Sequence, residues 1–115
     1  MTFGTKVETR VDPRVFAGSD PVHTATGANG ITTDTPALTP LMLDDATGKL
    51  VVWDGTKSGA AVGVLALELS GTETHLTYWK SGTFATESLN WPAGVDDVKK
   101  ENAFAGSAIS HAALP

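Results

Sequence analysis

The stretch from Pro36 to Gly55, PALTPLMLDDATGKLVVWDG, leaves the chain few ways to fold. Pro36 and Pro40 lack backbone donors and push the residues before them toward extended conformations. Leu41, Met42 and Leu43 follow as a short apolar run. Asp44-Asp45-Ala46-Thr47-Gly48 reads as a turn, with Asp to accept from its own backbone and Gly to take positive φ. Lys49-Leu50-Val51-Val52-Trp53 is then a compact strand signal, closed by Asp54-Gly55 as a second turn pair. Strand, turn and strand within twenty residues predict a hairpin or bent ribbon at the centre of a small β-rich domain.

Composition sets the limits of that domain. The chain has 115 residues and a formal net charge of −5, a length suited to one domain with a modest core. With 41% hydrophobic and 18% charged residues it reads as globular. Its 12 glycines and 6 prolines predict many turns and short elements. The absence of cysteine excludes disulfides, thiolate metal sites and cysteine nucleophiles, and favours an intracellular site of synthesis. Neither a signal peptide nor a run of transmembrane length is legible. The charge is unevenly spread. Residues 1–18 carry Lys6, Arg10 and Arg14 against Glu8 and Asp12, while 19–115 carry five lysines against eleven acids. An acidic body of this kind argues against a nucleic-acid or anionic-membrane partner.

Two regions divide at that boundary. Residues 1–18 show neither a helical stripe nor sustained alternation, and Asp12-Pro13 interrupts any element. They read either as a frayed terminus or as an arm that adds a strand to a partner sheet. Extended, such an arm reaches up to roughly 60 Å. Residues 19–35 have loop composition, and Asn29-Gly30 predicts a hairpin tip between Thr24–Thr26 and Ile31–Thr33. Val62–Leu69 reads as a strand covered on both faces. It is expected to pair with the alternating Thr74–Lys80. Ser81-Gly82 is read as a turn. Phe84–Trp91 fits either a helix or a strand. Asp96–Phe104 predicts a helix, with Asp96 as its cap and Val95, Val98 and Phe104 as a partial apolar stripe.

Catalytic patterns fail on inspection. Gly48-Lys49 follows two acids and precedes a strand, which does not suit a phosphate loop. Asp44-Asp45 and Asp96-Asp97 suit a turn and a helix start. Ser107 or Ser110 beside His111 lacks a nucleophile elbow. His23 has no second metal ligand at suitable spacing. A triphosphate hydrolase of the bent-ribbon kind is unsupported, since residues 49–98 offer only Lys49, Lys57 and Lys80 as cations. Trp53, Tyr78, Phe84 and Trp91 are expected in the core or an interface. No cofactor and no metal site is expected.

The central hairpin belongs to a longer pattern. Ser19–Thr26 (SDPVHTAT), Gly59–Leu65 (GAAVGVL), Lys80–Phe84 (KSGTF) with Trp91-Pro92, and Ala103–Gly106 (AFAG) stand in fixed order over residues 19–110. In that order they resemble the head decoration proteins of lambdoid tailed phages. The resemblance implies a non-enzymatic virion protein on the outer capsid surface, made in the host cytoplasm. It implies a mainly β domain with short helices, of bent-ribbon, β-clip type, assembled as a homotrimer. Its partner would be the major capsid protein, bound once the shell has expanded. On this reading residues 1–18 form the capsid-binding arm, through Val7, Arg10, Val11, Arg14, Val15 and Phe16. Asp20, Pro21, His23 and Thr24 form a second capsid-facing loop on the domain of residues 19–115. The alternative is a stand-alone carbohydrate- or peptide-binding module with Trp79 on its ligand face. Sizing separates them: a particle near three times 11.9 kDa marks the decoration class, and a monomer marks the module.

Overall fold

A computed structural model describes residues 16–18 and 21–114. Among the described residues six strands form one sheet: β1 (His23–Ala28), β2 (Pro40–Leu43), β3 (Leu50–Val52), β4 (Ala61–Leu65), β5 (His75–Ala85) and β6 (Ala108–Ala112). The helical pieces of the described residues are a 3-10 turn at Thr86–Ser88 and one helix, α1 (Asp97–Glu101). The strands run in the order β1-β5-β4-β2-β3, all pairs antiparallel, and β6 joins β5 in parallel. The fold is mainly β with short helices, as expected.

The central hairpin forms where its turn residues dictate. β2 pairs with β3 from Leu41–Val52 to Leu43–Leu50. Between them the Asp44 carboxylate accepts from Thr47 Oγ1 at 2.7 Å. The Gly48 N–H donates to the Asp44 carbonyl at 2.7 Å, with φ of +73° at Gly48. Trp53 then drops into the core, fully buried. Its indole N–H donates to the Lys57 carbonyl at 3.1 Å, which meets the rule that a buried donor needs a partner.

β4 separates two apolar clusters. Ala61 and Val64 belong to one with Trp53, Phe84, Leu89, Ala103, Phe104 and Ile109. Leu65 belongs to the other with Ile31, Leu41, Leu50, Leu69 and Leu76. Against β2, Leu41 opposes Gly63 and Met42 opposes Ala61, so Val62 is an extra residue. Such a bulge resets the face of every residue beyond it. It lets Val62 pack with Leu65's cluster while Val64 packs with the other. The expected pairing of this segment with β5 is present, Val64 opposite Trp79 and Leu65 opposite Tyr78. Cover on both faces stops at Leu65, however: the strand ends there and Leu67 is 64% exposed.

Three other expectations are corrected. Asn29-Gly30 does not tip a hairpin. β1 pairs with β5, and Asn29 bridges Leu50 of β3 in parallel while the Gly30 N–H donates to the Leu50 carbonyl at 2.8 Å. β1 and β3 lie at opposite ends of the strand order, so the two ends of the sheet meet here. Ser81-Gly82 is not a turn either, since both lie inside the eleven-residue β5. Gly82 takes φ of +132° without reversing the chain. The helix is capped as expected, Asp96 accepting from the Lys99 N–H at 2.8 Å. It ends at Glu101 instead of Phe104: beyond Glu101 the chain tightens into turns, the Ala103 and Ala105 N–H groups donating three residues back to the Lys100 and Asn102 carbonyls. Val98 lies within the helix and is 65% exposed, while Phe104 beyond it is buried, so the two do not form one apolar stripe. Phe84–Trp91 divides into the end of β5, the 3-10 turn and an irregular exit.

The loop after β4 is held by one carboxylate. Glu73 accepts from the successive N–H groups of Ser70, Gly71 and Thr72 at 3.0 to 3.2 Å. Those bonds, led by that of Ser70, hold its carboxyl down to about 2. Asp54 is likewise lowered, by the backbone N–H and the hydroxyl of Thr56. Because the folded form binds its proton less readily than the unfolded one, Glu73 stabilises the fold above its ordinary value of 4.5. That contribution fades as pH falls from 4.5 through about 2. Glu73→Gln should therefore flatten the pH dependence of the unfolding midpoint across that window, with the difference from wild type shrinking toward acid.

Gly63 is fixed by packing. A Cβ there would lie 2.6 Å from the Tyr78 ring and 2.9 Å from the Trp79 carbonyl. Gly63→Ala is expected to destabilise by about 1–3 kcal/mol, the range for overpacking a core. A lowered urea midpoint with unchanged slope would register it.

Candidate functional site

β5 positions the residues expected to matter. Phe84 has a strand partner on each edge, Phe16 antiparallel and His111 parallel. Ser81 likewise has His23 on one edge and Ala108 on the other. Phe16–Gly18 and β1 therefore share one edge of β5, and β6 takes the opposite edge.

Phe16 is seated on the body. Its ring meets Trp79 edge-on at 5.7 Å and Phe84 at 5.0 Å. The Ala17 N–H donates to the Thr83 carbonyl at 3.0 Å. Aromatic pairs at these separations contribute about 0.5–1.5 kcal/mol beyond area burial. Farther along the same edge, Ser81 donates from Oγ to the Pro21 carbonyl at 3.2 Å. The same oxygen accepts from the His23 N–H at 3.0 Å. One hydroxyl thus spans the irregularity at the start of β1, where register shifts between His23 and Thr24. Gly82 leaves room beside it, since a Cβ would stand 3.3 Å from Val22 Cγ2.

Of the expected arm and loop residues, the structure brings together Phe16, Pro21, His23 and Thr24 along this edge. Pro21, His23 and Thr24 are exposed, and Phe16 is half-buried. Val7, Arg10, Val11, Arg14, Val15 and Asp20 lie outside the described residues. Sequence reasoning missed the seat itself, made by Trp79, Ser81, Thr83 and Phe84. Trp79 is half-buried beneath Phe16, so it does not form the open ligand face that a carbohydrate-binding module would need.

The hydrolytic candidates also resolve into structural roles. His111 Nε2 lies 2.6 Å from the Lys100 carbonyl, which can only accept, and Nδ1 lies 2.8 Å from Thr86 Oγ1. The imidazole packs on Trp91 at 5.0 Å. Ser107 donates to the Phe104 carbonyl, and Ser110 shares a hydrogen bond with Thr83. His111 thus ties β6 to the helical segment. Among the described residues no group of three or more His, Asp or Glu side chains could hold a metal ion. None of the described helices is long and apolar enough to cross a membrane.

The described residues form a mainly β body that seats Phe16 on Trp79 and Phe84. The model of the family "Bacteriophage lambda head decoration protein D" matches residues 5–112. The chain is 69% identical to the head decoration protein of Enterobacteria phage P21 over 115 residues, covering all of both chains. It is 50% identical over 107 residues to a protein of Escherichia phage N15 assigned as a decoration protein, covering 92% of this chain and 96% of that one. The chain belongs to the lambda head decoration protein D family. It is therefore a structural capsid-surface protein and not an enzyme. The match also reaches back to residue 5 and takes in most of the N-terminal region.

Phe16→Ala should cost about 1–3 kcal/mol, the scale for burying such a ring, and should expose Trp79. A red shift of tryptophan emission, with the fold retained by circular dichroism, is the expected signature.

Proposed function

We propose that three copies of this chain assemble about a three-fold axis into a β-clip-type trimer that clamps the outside of the expanded phage head. Family membership, with full-length identity to a head decoration protein, is the observation that carries this reading. The trimer occupies three-fold positions after shell expansion has exposed the coat protein's docking surface. Cross-linking of neighbouring coat subunits then resists the outward pressure of packaged DNA.

The contacts come from the N-terminal arm. Val7, Val11 and Val15 fill pockets on the coat protein, and Arg10 and Arg14 supply opposite charge. Pro21, His23 and Thr24, with Asp20, add a second touch from the body. Phe16 has a different part. Its seat on Trp79 and Phe84 supports a role as the fixed point from which residues 1–15 depart. One such arm binds weakly, because it must be ordered on docking. Three arms on one rigid body raise avidity by about 10²–10⁴ if all engage together.

The truncation that tests this should spare Phe16. A chain lacking residues 2–15 is expected to remain a folded trimer in sedimentation analysis yet to fail to co-sediment with expanded shells. The full chain should bind expanded but not unexpanded shells. Undiminished binding of the truncated chain would refute the arm mechanism, and a monomeric full chain would refute the trimer.

A further inference from the structure

Asn29-Gly30 takes no part in the proposed capsid contact, yet it is chemically the least durable dipeptide in the chain. In a mobile segment the nitrogen of a glycine, unhindered by a side chain, attacks Cγ of the preceding asparagine. A C–N bond forms, the side-chain nitrogen leaves as ammonia, and a succinimide ring results. Water then adds across either ring carbonyl and opens it to aspartate or isoaspartate. The chain has three asparagines, Asn29, Asn90 and Asn102, and only Asn29 precedes glycine.

The fold restrains both reacting groups. Asn29 is 7% exposed. Its Nδ2 donates to the carbonyls of Ile31 at 3.1 Å and Glu73 at 2.7 Å. Its Oδ1 accepts from the Ile31 N–H at 2.8 Å. The attacking nitrogen, that of Gly30, donates to the Leu50 carbonyl at 2.8 Å. Attack requires this last bond to break and the Asn29 amide to turn away from its partners. Glycine cannot simply be replaced here, because a Cβ at position 30 would stand 2.9 Å from Val51 Cγ1. The close approach that seals the two ends of the sheet therefore imposes a reactive dipeptide at the seal.

We propose that Asn29-Gly30 is a latent deamidation site, silent while Asn29 bridges Leu50 and reactive when that bridge opens. The conversion is one-way. An aspartate at position 29 has no protons to give the Ile31 and Glu73 carbonyls and sets a carboxylate against them. Isoaspartate, with a methylene added to the backbone, also loses the register of the bridge. Each opening that lasts long enough to react is thus recorded as an exchange of NH₂ for OH.

Peptide mapping by mass spectrometry tests this on the full chain aged in warm, mildly alkaline buffer, with and without urea. In urea Asn29 should convert faster than Asn90 and Asn102; equal rates would overturn the proposal. Without urea, conversion at Asn29 should slow at least ~10-fold, because it waits on local opening; a smaller slowing would overturn it. Amide hydrogen exchange of Gly30 supplies a second readout. Strong protection is expected, and unprotected exchange would contradict the restraint. The converted fraction, separated by its added negative charge, should melt below the unconverted chain. Equal melting would refute the one-way step.

Discussion

Both edges of β5 are hydrogen-bonded, and everything else in the fold is arranged around that fact. β1 and the Phe16–Gly18 segment take one edge, and β4 and β6 divide the other. A strand used on both sides must satisfy two sets of partners with one backbone. On the β4 and β6 side the partner changes between Trp79 and Ser81, and Gly82, with φ of +132°, lies just beyond, within the ladder with β6. Its side chains then serve two apolar clusters, Leu76 and Tyr78 in one, Trp79 and Phe84 in the other. The aromatic seat for Phe16 follows from this geometry, because Trp79 and Phe84 are presented beside the edge along which the N-terminal lead runs.

What could be read from sequence was what local chemistry decides. The Asp44–Gly48 turn forms from its own carboxylate, hydroxyl and glycine, so β2 and β3 were legible without knowledge of any distant partner. The Asp96 cap was legible for the same reason. Distant partners decided the rest. The AISHA segment (residues 108–112) carries a weak strand signal, with little β-branched or aromatic content beyond Ile109. It is a strand because β5 offers it a free edge. Asn29-Gly30 has the composition of a turn, but Leu50 and Glu73 claim its hydrogen bonds. Helix α1 gives way to tighter turns after Glu101, and the segment beyond it is held to the body by Gly59 and Ala61, which donate to the Asn102 and Ala103 carbonyls.

The candidate site divides along the same line. Family-level order in the sequence pointed to the decoration class and so to a coat-protein partner, and the acidic body argued against a nucleic-acid or anionic-membrane one. The seat for the lead was hidden, because Ser81-Gly82 looks like a turn and Trp79 looks like an exposed member of an alternating strand. Only a pairing between residues far apart in the chain, Phe16 with Phe84, shows that these residues receive the N-terminal segment.

The parallel ladder between β5 and β6 has a bearing on biosynthesis. Phe84 meets His111 only after a further helix and several turns have been made, and non-local pairings of this kind form late. A nascent chain interrupted before Ala108 leaves one margin of β5 bare and Ile109 missing from the apolar cluster around Trp53. Open strand margins invite aggregation, so the parallel partner of β5 also shields the sheet from edge-to-edge association. β6 thus completes from the far end of the chain the same strand that seats Phe16 near its start.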